Sequence, residues 1–340
     1  GETAQPEQQD TEGFWAGIEM ASPDDTLRRA ALILAGRLPT NAELAEARRG
    51  DAGLRRAIRG LMQGDGFHDF LIRGANDRLL TDAMWTTINF NAINVGSDAY
   101  PATLERGKTA KNLQFPTVDD PFWSWNLNNV FGFARAPLEL IAYIVENDRP
   151  YTEIVTAEYT MANRASAETM RADELTFDDP TPLYQASEQF KPTTNRGHTI
   201  NNGGWSFDYS VPWIEILSYG DYLDYPHAGI LSELAFLGRY PTTETNRNRA
   251  RARWTYYHFL GVDIEKSAGR TQDPAALADT NNPTLNNPNC AVCHELMDPV
   301  AGAFQDFFND GLYRPNFPAT DALPDSYKYA ESTGAREFFD

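Results

Sequence analysis

Two cysteines and a histidine stand together in the sequence NPNCAVCHELMDPVAG, residues 287–302. Cys290 and Cys293 are the only cysteines among the 340 residues, and His294 is one of five histidines. Cys-x-x-Cys-His is the pattern for covalent haem attachment. Thiols three residues apart lie on one turn of helix and reach the two vinyl groups of a porphyrin, while the adjacent histidine binds the iron. The pattern therefore predicts one haem c, with His294 as the proximal ligand.

Two thiols at this spacing have three other possible uses: a structural disulfide, a thioredoxin-like redox pair and a zinc site. A structural zinc site takes four protein ligands, and the chain has no second Cys-x-x-Cys. A redox pair follows a strand, whereas the preceding NNPTLNNPN is a poor strand. Haem attachment is the interpretation that these residues favour, and it uses both thiols as thioethers.

The second axial ligand is harder to place. Met297 follows His294 by three residues, a spacing that puts it on the same side of the ring. We expect the helix to end at Asp298-Pro299, so a distal ligand must come from upstream.

The sequence favours His227 as the distal metal ligand. It lies in DYPHAGILSELAF, just before a predicted helix, where a turn can present a side chain. His258, beside a helical aromatic face, and His198, in a loop rich in Gly and Asn where it could simply be solvated, are the alternatives. Met161, Met170 and an open position also remain.

Four arginines alternate in TNRNRARARW, residues 245–254. On a helix, Arg247 and Arg251 share one face, and Arg249 and Arg253 share another. The run is suited to bind haem propionates, for which Arg251 and Arg247 are the candidates, or local carboxylates, through forked hydrogen bonds. The alternative is a surface helix with ordinary ion pairs.

Apolar residues at three- and four-residue spacing predict a mainly α, multi-helix globular protein with long ordered loops. Ser22 or Asp24 is expected to cap a first helix, and Thr40 or Asn41 the next. A break is predicted at residues 148–150, and helices resume around 228–237 and 242–260. The predicted divisions are an N-terminal arm (1–20), a helical domain (21–164), a loop-rich insert (165–222) and a C-terminal haem module (223–340). Residues 82–121 are expected to be mostly loop, and the tail 311–340 irregular.

The composition limits the partners. The net charge of −19 repels nucleic acid and anionic membrane and favours a basic redox partner protein. No run of about 18 apolar residues is present, so no transmembrane segment is predicted. Motifs for phosphate loops, dinucleotide binding, serine hydrolases and zinc proteases are also missing.

The haem motif also predicts where the protein works. Attachment of haem to Cys-x-x-Cys-His takes place outside the cytoplasm, so we expect an exported, periplasmic or extracellular protein. A start at Gly1 fits a chain that has lost a signal peptide, or one that was trimmed. A lipid anchor upstream of Gly1 remains open.

The segment NCAVCHELMDPVAGAFQDFFNDGLYR, residues 289–314, resembles the C-terminal module of planctomycete-type cytochrome c domain proteins. These are exported bacterial families, mostly of unknown function. The resemblance is carried by Cys290, Cys293, His294, Asp298, Pro299, Phe304, Phe307, Gly311, Tyr313 and Arg314. It implies a helical, exported, single-haem protein and no defined reaction.

The function predicted from these observations is one-electron transfer with a protein partner or within a larger assembly, rather than catalysis. One alternative is a haem enzyme, a peroxidase or oxygenase, with an open distal position walled by residues 165–222. Another is a structural or assembly subunit of an electron-relay complex.

Overall fold

The computed structural model describes residues 19–83, 100, 102–103, 121–178, 189–199, 221–243, 246–267, 269, 271–279, 283–308 and 311–313. Within these ranges the protein is mainly helical, which confirms the predicted fold class. Nearly all of the predicted arm and tail, and most of the predicted loop at 82–121, lie outside them. The chain forms two compact units, Gly1–Leu71 and Ile72–Asp340, and the four predicted domain divisions stay predictions.

The first unit contains three short helices, α1 (Pro23–Leu34), α2 (Asn41–Ala47) and α3 (Asp51–Leu61), around a small apolar core. Both predicted caps are confirmed. Ser22 accepts a hydrogen bond from the Asp25 backbone N–H, and Thr40 forms a reciprocal capping box with Glu43. The next helix is α4 (Asp65–Leu79), and it is followed by a 3-10 turn, Thr81–Ala83.

The core of the second unit is built on a long helix, α5 (Pro121–Glu146). The chain then breaks near the predicted residues 148–150 and forms α6 (Glu153–Thr156). Two short strands, β1 (Thr160–Ala162) and β2 (Lys191–Thr193), pair antiparallel, with α7 (Arg164–Thr169) after the first. The side chains that pack together here include Tyr100, Phe133, Ala162, Met170, Leu234 and Leu312.

The remaining helices are short until the last one. They are α8 (Leu234–Arg239), α9 (Arg249–Thr255) with a π turn at Tyr256–Leu260, α10 (Ile264–Ser267), α11 (Pro274–Leu277), α12 (Pro283–Asn286) and α13 (Pro288–Ala303). The helices expected from about 228 and 242 begin later, at 234 and 249. Asn248 takes a left-handed conformation, which stops the helical backbone directly before Arg249.

The predicted end of the last helix at Asp298-Pro299 is wrong, because α13 continues to Ala303. A proline inside a helix removes one backbone hydrogen bond and crowds the preceding turn. Pro299, Ala301 and Gly302 are all buried, so burial offsets that cost. None of the helices that the structure describes combines the length and apolar character needed to cross a membrane.

The chain after α13 packs back against α8 at Gly311. This residue has a φ of 83°, and a Cβ atom on it would lie 3.1 Å from Leu237 Cβ and 3.2 Å from a Leu234 methyl group. The left-handed backbone and the close approach both favour glycine. Gly311 is one of the residues that carry the resemblance, and its role is to let this segment close on α8.

Candidate functional site

The cysteines and histidine of the haem motif lie on the first two turns of α13. The Asn287 side chain caps this helix by accepting a hydrogen bond from the Asn289 N–H, and Pro288 occupies the first helical position. Cys290 and Cys293 are three residues apart on the helix, and both are free thiols with partial exposure. The local sequence therefore places the two thiols and His294 on one helical surface.

One turn further along, Asp298 holds the His294 ring. Nδ1 of His294 lies 3.0 Å from the Asp298 carboxylate, which is fully buried. A carboxylate accepts, so it favours the tautomer with its proton on Nδ1. Nε2 then has its lone pair free, and it makes no hydrogen bond with the residues that the structure describes. This is the arrangement in which a histidine binds a metal through Nε2.

Arg249 completes this group from the first residue of α9. Its Nε and Nη2 atoms donate to the two Asp298 oxygens at 2.7 and 2.9 Å. Such a forked pair satisfies a buried carboxylate and fixes its orientation. The sequence did not predict the hydrogen-bonded series Arg249–Asp298–His294. The four-residue spacing of His294 and Asp298 could have indicated their contact, because it places both on one helical face. The contact with Arg249, which is 49 residues from Asp298, is visible only in the tertiary structure.

Exposed apolar side chains lie on the face of α13 opposite His294, because side chains two residues apart project to opposing sides of a helix. Val292, between the two cysteines, is 51% exposed, and Leu296, two residues after His294, is 52% exposed. Leu285 is also exposed, on α12, which packs against α13. Two thiols and an oriented imidazole on one helical face fit the requirements of covalently attached haem.

The inner side of the motif rests on a small core. Cys293 packs against Ala252, Ile264, Met297 and Ala301, and its Sγ lies 3.7 Å from the Ile264 carbonyl oxygen. Met297 is thus part of this core. Within the described residues, no cluster of three or more Cys, His, Asp or Glu side chains is arranged to hold a metal ion, so no zinc site is found there.

His227 belongs to a different set of contacts. Its Nε2 accepts a hydrogen bond of 2.9 Å from the Asn195 backbone N–H, and its ring lies 5.3 Å from that of Tyr225. Burial lowers the pKa of His227 to about 4. In the part of the chain that the structure describes, no hydrogen bond or ring contact joins His227 to His294. Its role as distal ligand stays a prediction.

This histidine lines a cavity of about 570 Å³. The other lining residues include Glu158, Arg171, Thr194, Tyr222 and Asp224. The Arg171 guanidinium lies over the Tyr222 ring at 3.9 Å from its centre, so a charged and aromatic wall faces His227.

The alternative ligands are also packed side chains. His258 lies in the π turn, stacks on Trp254 and shares a 2.9 Å hydrogen bond with the Tyr240 hydroxyl. His198 is buried and not solvated, with its ring 5.2 Å from Tyr100 and 5.7 Å from Tyr225. Two methionines weighed as ligands are buried in the core of the second unit, Met161 and Met170.

Arg247 and Arg251, the candidates for contact with the haem propionates, do not share a helical face. Arg247 precedes α9, with a φ of 48°, so the helical face that it was expected to share with Arg251 does not form. Arg251 is fully buried and donates to oxygens of five residues: Leu237, Tyr240, Asn248, Phe307 and Phe308. These bonds give Arg251 a structural role, and the propionate contacts remain predictions.

Residues 227–316 match the family described as PSCyt3, protein of unknown function (DUF1588). PSCyt3 is a planctomycete-type cytochrome c domain family, so the match supports the resemblance seen in the sequence. The matched segment contains Cys290, Cys293, His294 and His227. It also contains Asp298 and Arg249, which orient His294. No curated protein and no solved structure matches this chain. The PSCyt3 match therefore supports haem as the cofactor and leaves the reaction open.

Proposed function

We propose that this chain is an exported monohaem c-type cytochrome that exchanges one electron with a protein partner. One observation carries the proposal. Within the segment that matches PSCyt3, α13 presents Cys290, Cys293 and His294 together, and Asp298 fixes the His294 ring with Nε2 available.

Each residue has a defined part in this proposal. Cys290 and Cys293 form the two thioether links, and His294 binds the iron through Nε2. Asp298 keeps the proton on Nδ1, and Arg249 keeps Asp298 oriented. When bound, the haem supplies the one-electron couple.

The partner and location follow from charge and chemistry. A net charge of −19 supports a basic redox partner, because the negative electrostatic field of this protein attracts a positively charged protein. Attachment of haem to the two thiols supports export to the periplasm or the outside, with or without a lipid anchor. If the partner is bound permanently, the protein is a subunit of a larger electron-relay assembly and exchanges the electron in the same way.

The test is to export the chain in a bacterium that attaches haem to Cys-x-x-Cys-His, and to purify it. Mass spectrometry and the pyridine haemochrome spectrum should show one covalent haem per chain. The double variant Cys290→Ala, Cys293→Ala should carry none. A wild-type chain without covalent haem contradicts the proposal.

The same sample separates electron transfer from catalysis. A sharp reduced α-band that carbon monoxide does not move indicates two protein ligands and supports electron transfer. A high-spin spectrum, or ready binding of carbon monoxide, indicates an open position. One observation favours that second function, a peroxidase or oxygenase: a carboxylate on His294 makes the ring a stronger donor to iron.

A further inference from the structure

We infer that Asp298, oriented by Arg249, strengthens His294 as an electron donor and thereby lowers the reduction potential of the protein. The inference rests on the proposed haem attachment and assigns positioning roles to two residues outside the Cys-x-x-Cys-His motif. The electron involved is the one exchanged with the redox partner.

The geometry supports a strong effect. The Asp298 carboxylate is fully buried, so water does not screen its contact with His294 Nδ1 at 3.0 Å. An imidazole that donates its second N–H to a carboxylate becomes more basic at the other nitrogen. A more basic nitrogen stabilises ferric over ferrous iron, which is a lower potential.

Arg249 moderates this effect and fixes its geometry. Its two bonds to Asp298, at 2.7 and 2.9 Å, hold the carboxylate and withdraw electron density from it. One of the carboxylate oxygens, Oδ1, faces both Arg249 Nε and His294 Nδ1. The donor strength of His294 is therefore set by how Asp298 is shared between an arginine and a histidine.

A second arginine–aspartate pair provides a control for the effect of lost charge on the potential. Arg253, one turn along α9, holds Asp263 with the same forked geometry, at 2.9 and 3.0 Å. Asp263 precedes Ile264, whose carbonyl lies 3.7 Å from Cys293 Sγ, so it too is near the motif. Asp263→Asn removes one negative charge from an equivalent pair without touching His294.

The experiment measures the potentials and ferric EPR spectra of the haem-loaded wild type, Asp298→Asn and Asp263→Asn. We expect Asp298→Asn to favour reduction at least tenfold, which is a rise of about 59 mV for one electron. Asp263→Asn should give less than half of that rise. The EPR g values report the ligand field at iron, and they should move in Asp298→Asn only.

Equal rises in both variants, or no rise in Asp298→Asn, overturn the inference while the proposed function stands. A wild type without haem overturns both. If Asp298→Asn does not retain haem, Arg249→Gln supplies the test with the opposite sign. Asp298, released from Arg249, then accepts more strongly from His294, and the potential should fall. Arg253→Gln removes one cation from the control pair and measures the fall due to charge alone. A fall in Arg249→Gln that is no larger than this also overturns the inference.

Discussion

The Arg251 guanidinium donates a hydrogen bond of 2.8 Å to the Phe307 carbonyl oxygen, although 56 residues separate the two in the chain. Further bonds reach Leu237 and Tyr240, at the end of α8. Helix ends leave carbonyl groups without internal partners, and here a buried cation supplies donors to them. Arg251 thus joins α8, α9 and the segment after α13, and so supports the helix that carries the motif.

Arg251→Met should destabilise the second unit by about 3–5 kcal/mol, because it leaves several buried carbonyl groups without donors. Guanidinium chloride unfolding, followed by circular dichroism, measures the change. The control is Arg239→Met, an exposed arginine on α8, which should cost roughly 0.5 kcal/mol or less. Similar losses in the two variants would contradict the structural role of Arg251.

Structural features that depend on neighbouring residues could be predicted from the sequence, whereas those that depend on tertiary contacts could not. The caps at Ser22 and Thr40 and the helical setting of Cys290 and Cys293 depend on neighbouring residues, and they were predictable. The role of Arg251 depends on carbonyl groups 14 and 56 residues away, which no local pattern reveals. The helix through Pro299 shows tertiary burial overriding a local preference.

The buried pair formed by His227 and Asn195 predicts that the stability of the haem-free protein depends on pH. Burial lowers the folded pKa of His227 from 6.5 to about 4, so the unfolded chain takes up a proton first as the pH falls. The folded state should therefore lose up to about 3 kcal/mol from this group between pH 6.5 and 4. Above pH 6.5 both states are neutral and the group has no such effect.

His227→Gln is the variant that tests this dependence. Urea unfolding at several pH values gives the stability difference between wild type and variant. The difference measured at pH 8, where His227 is neutral in both states, is the baseline. It should shift in favour of the variant as the pH falls to 4. Parallel stability curves would show that His227 does not titrate as its burial requires.

Glu233 should destabilise the folded protein at neutral pH. Burial raises its pKa from 4.5 to about 8, so the folded state keeps the carboxyl neutral while the unfolded chain ionises. Stability from this group is full below pH 4.5 and is lost as the pH rises toward 8. Between pH 4.5 and 7 the loss is about 3 kcal/mol.

Glu233→Gln keeps the shape and removes the ionisation, so at pH 7 it should be more stable than wild type by up to about 3 kcal/mol. The gain should shrink toward zero near pH 4.5, and urea unfolding at both pH values measures it. Glu153→Gln is the control of opposite sign, because the hydrogen bond from Arg149 lowers the pKa of Glu153. That variant should be less stable than wild type at pH 7. A gain for Glu233→Gln that is equal at both pH values would mean that packing, and not the buried carboxyl, is responsible.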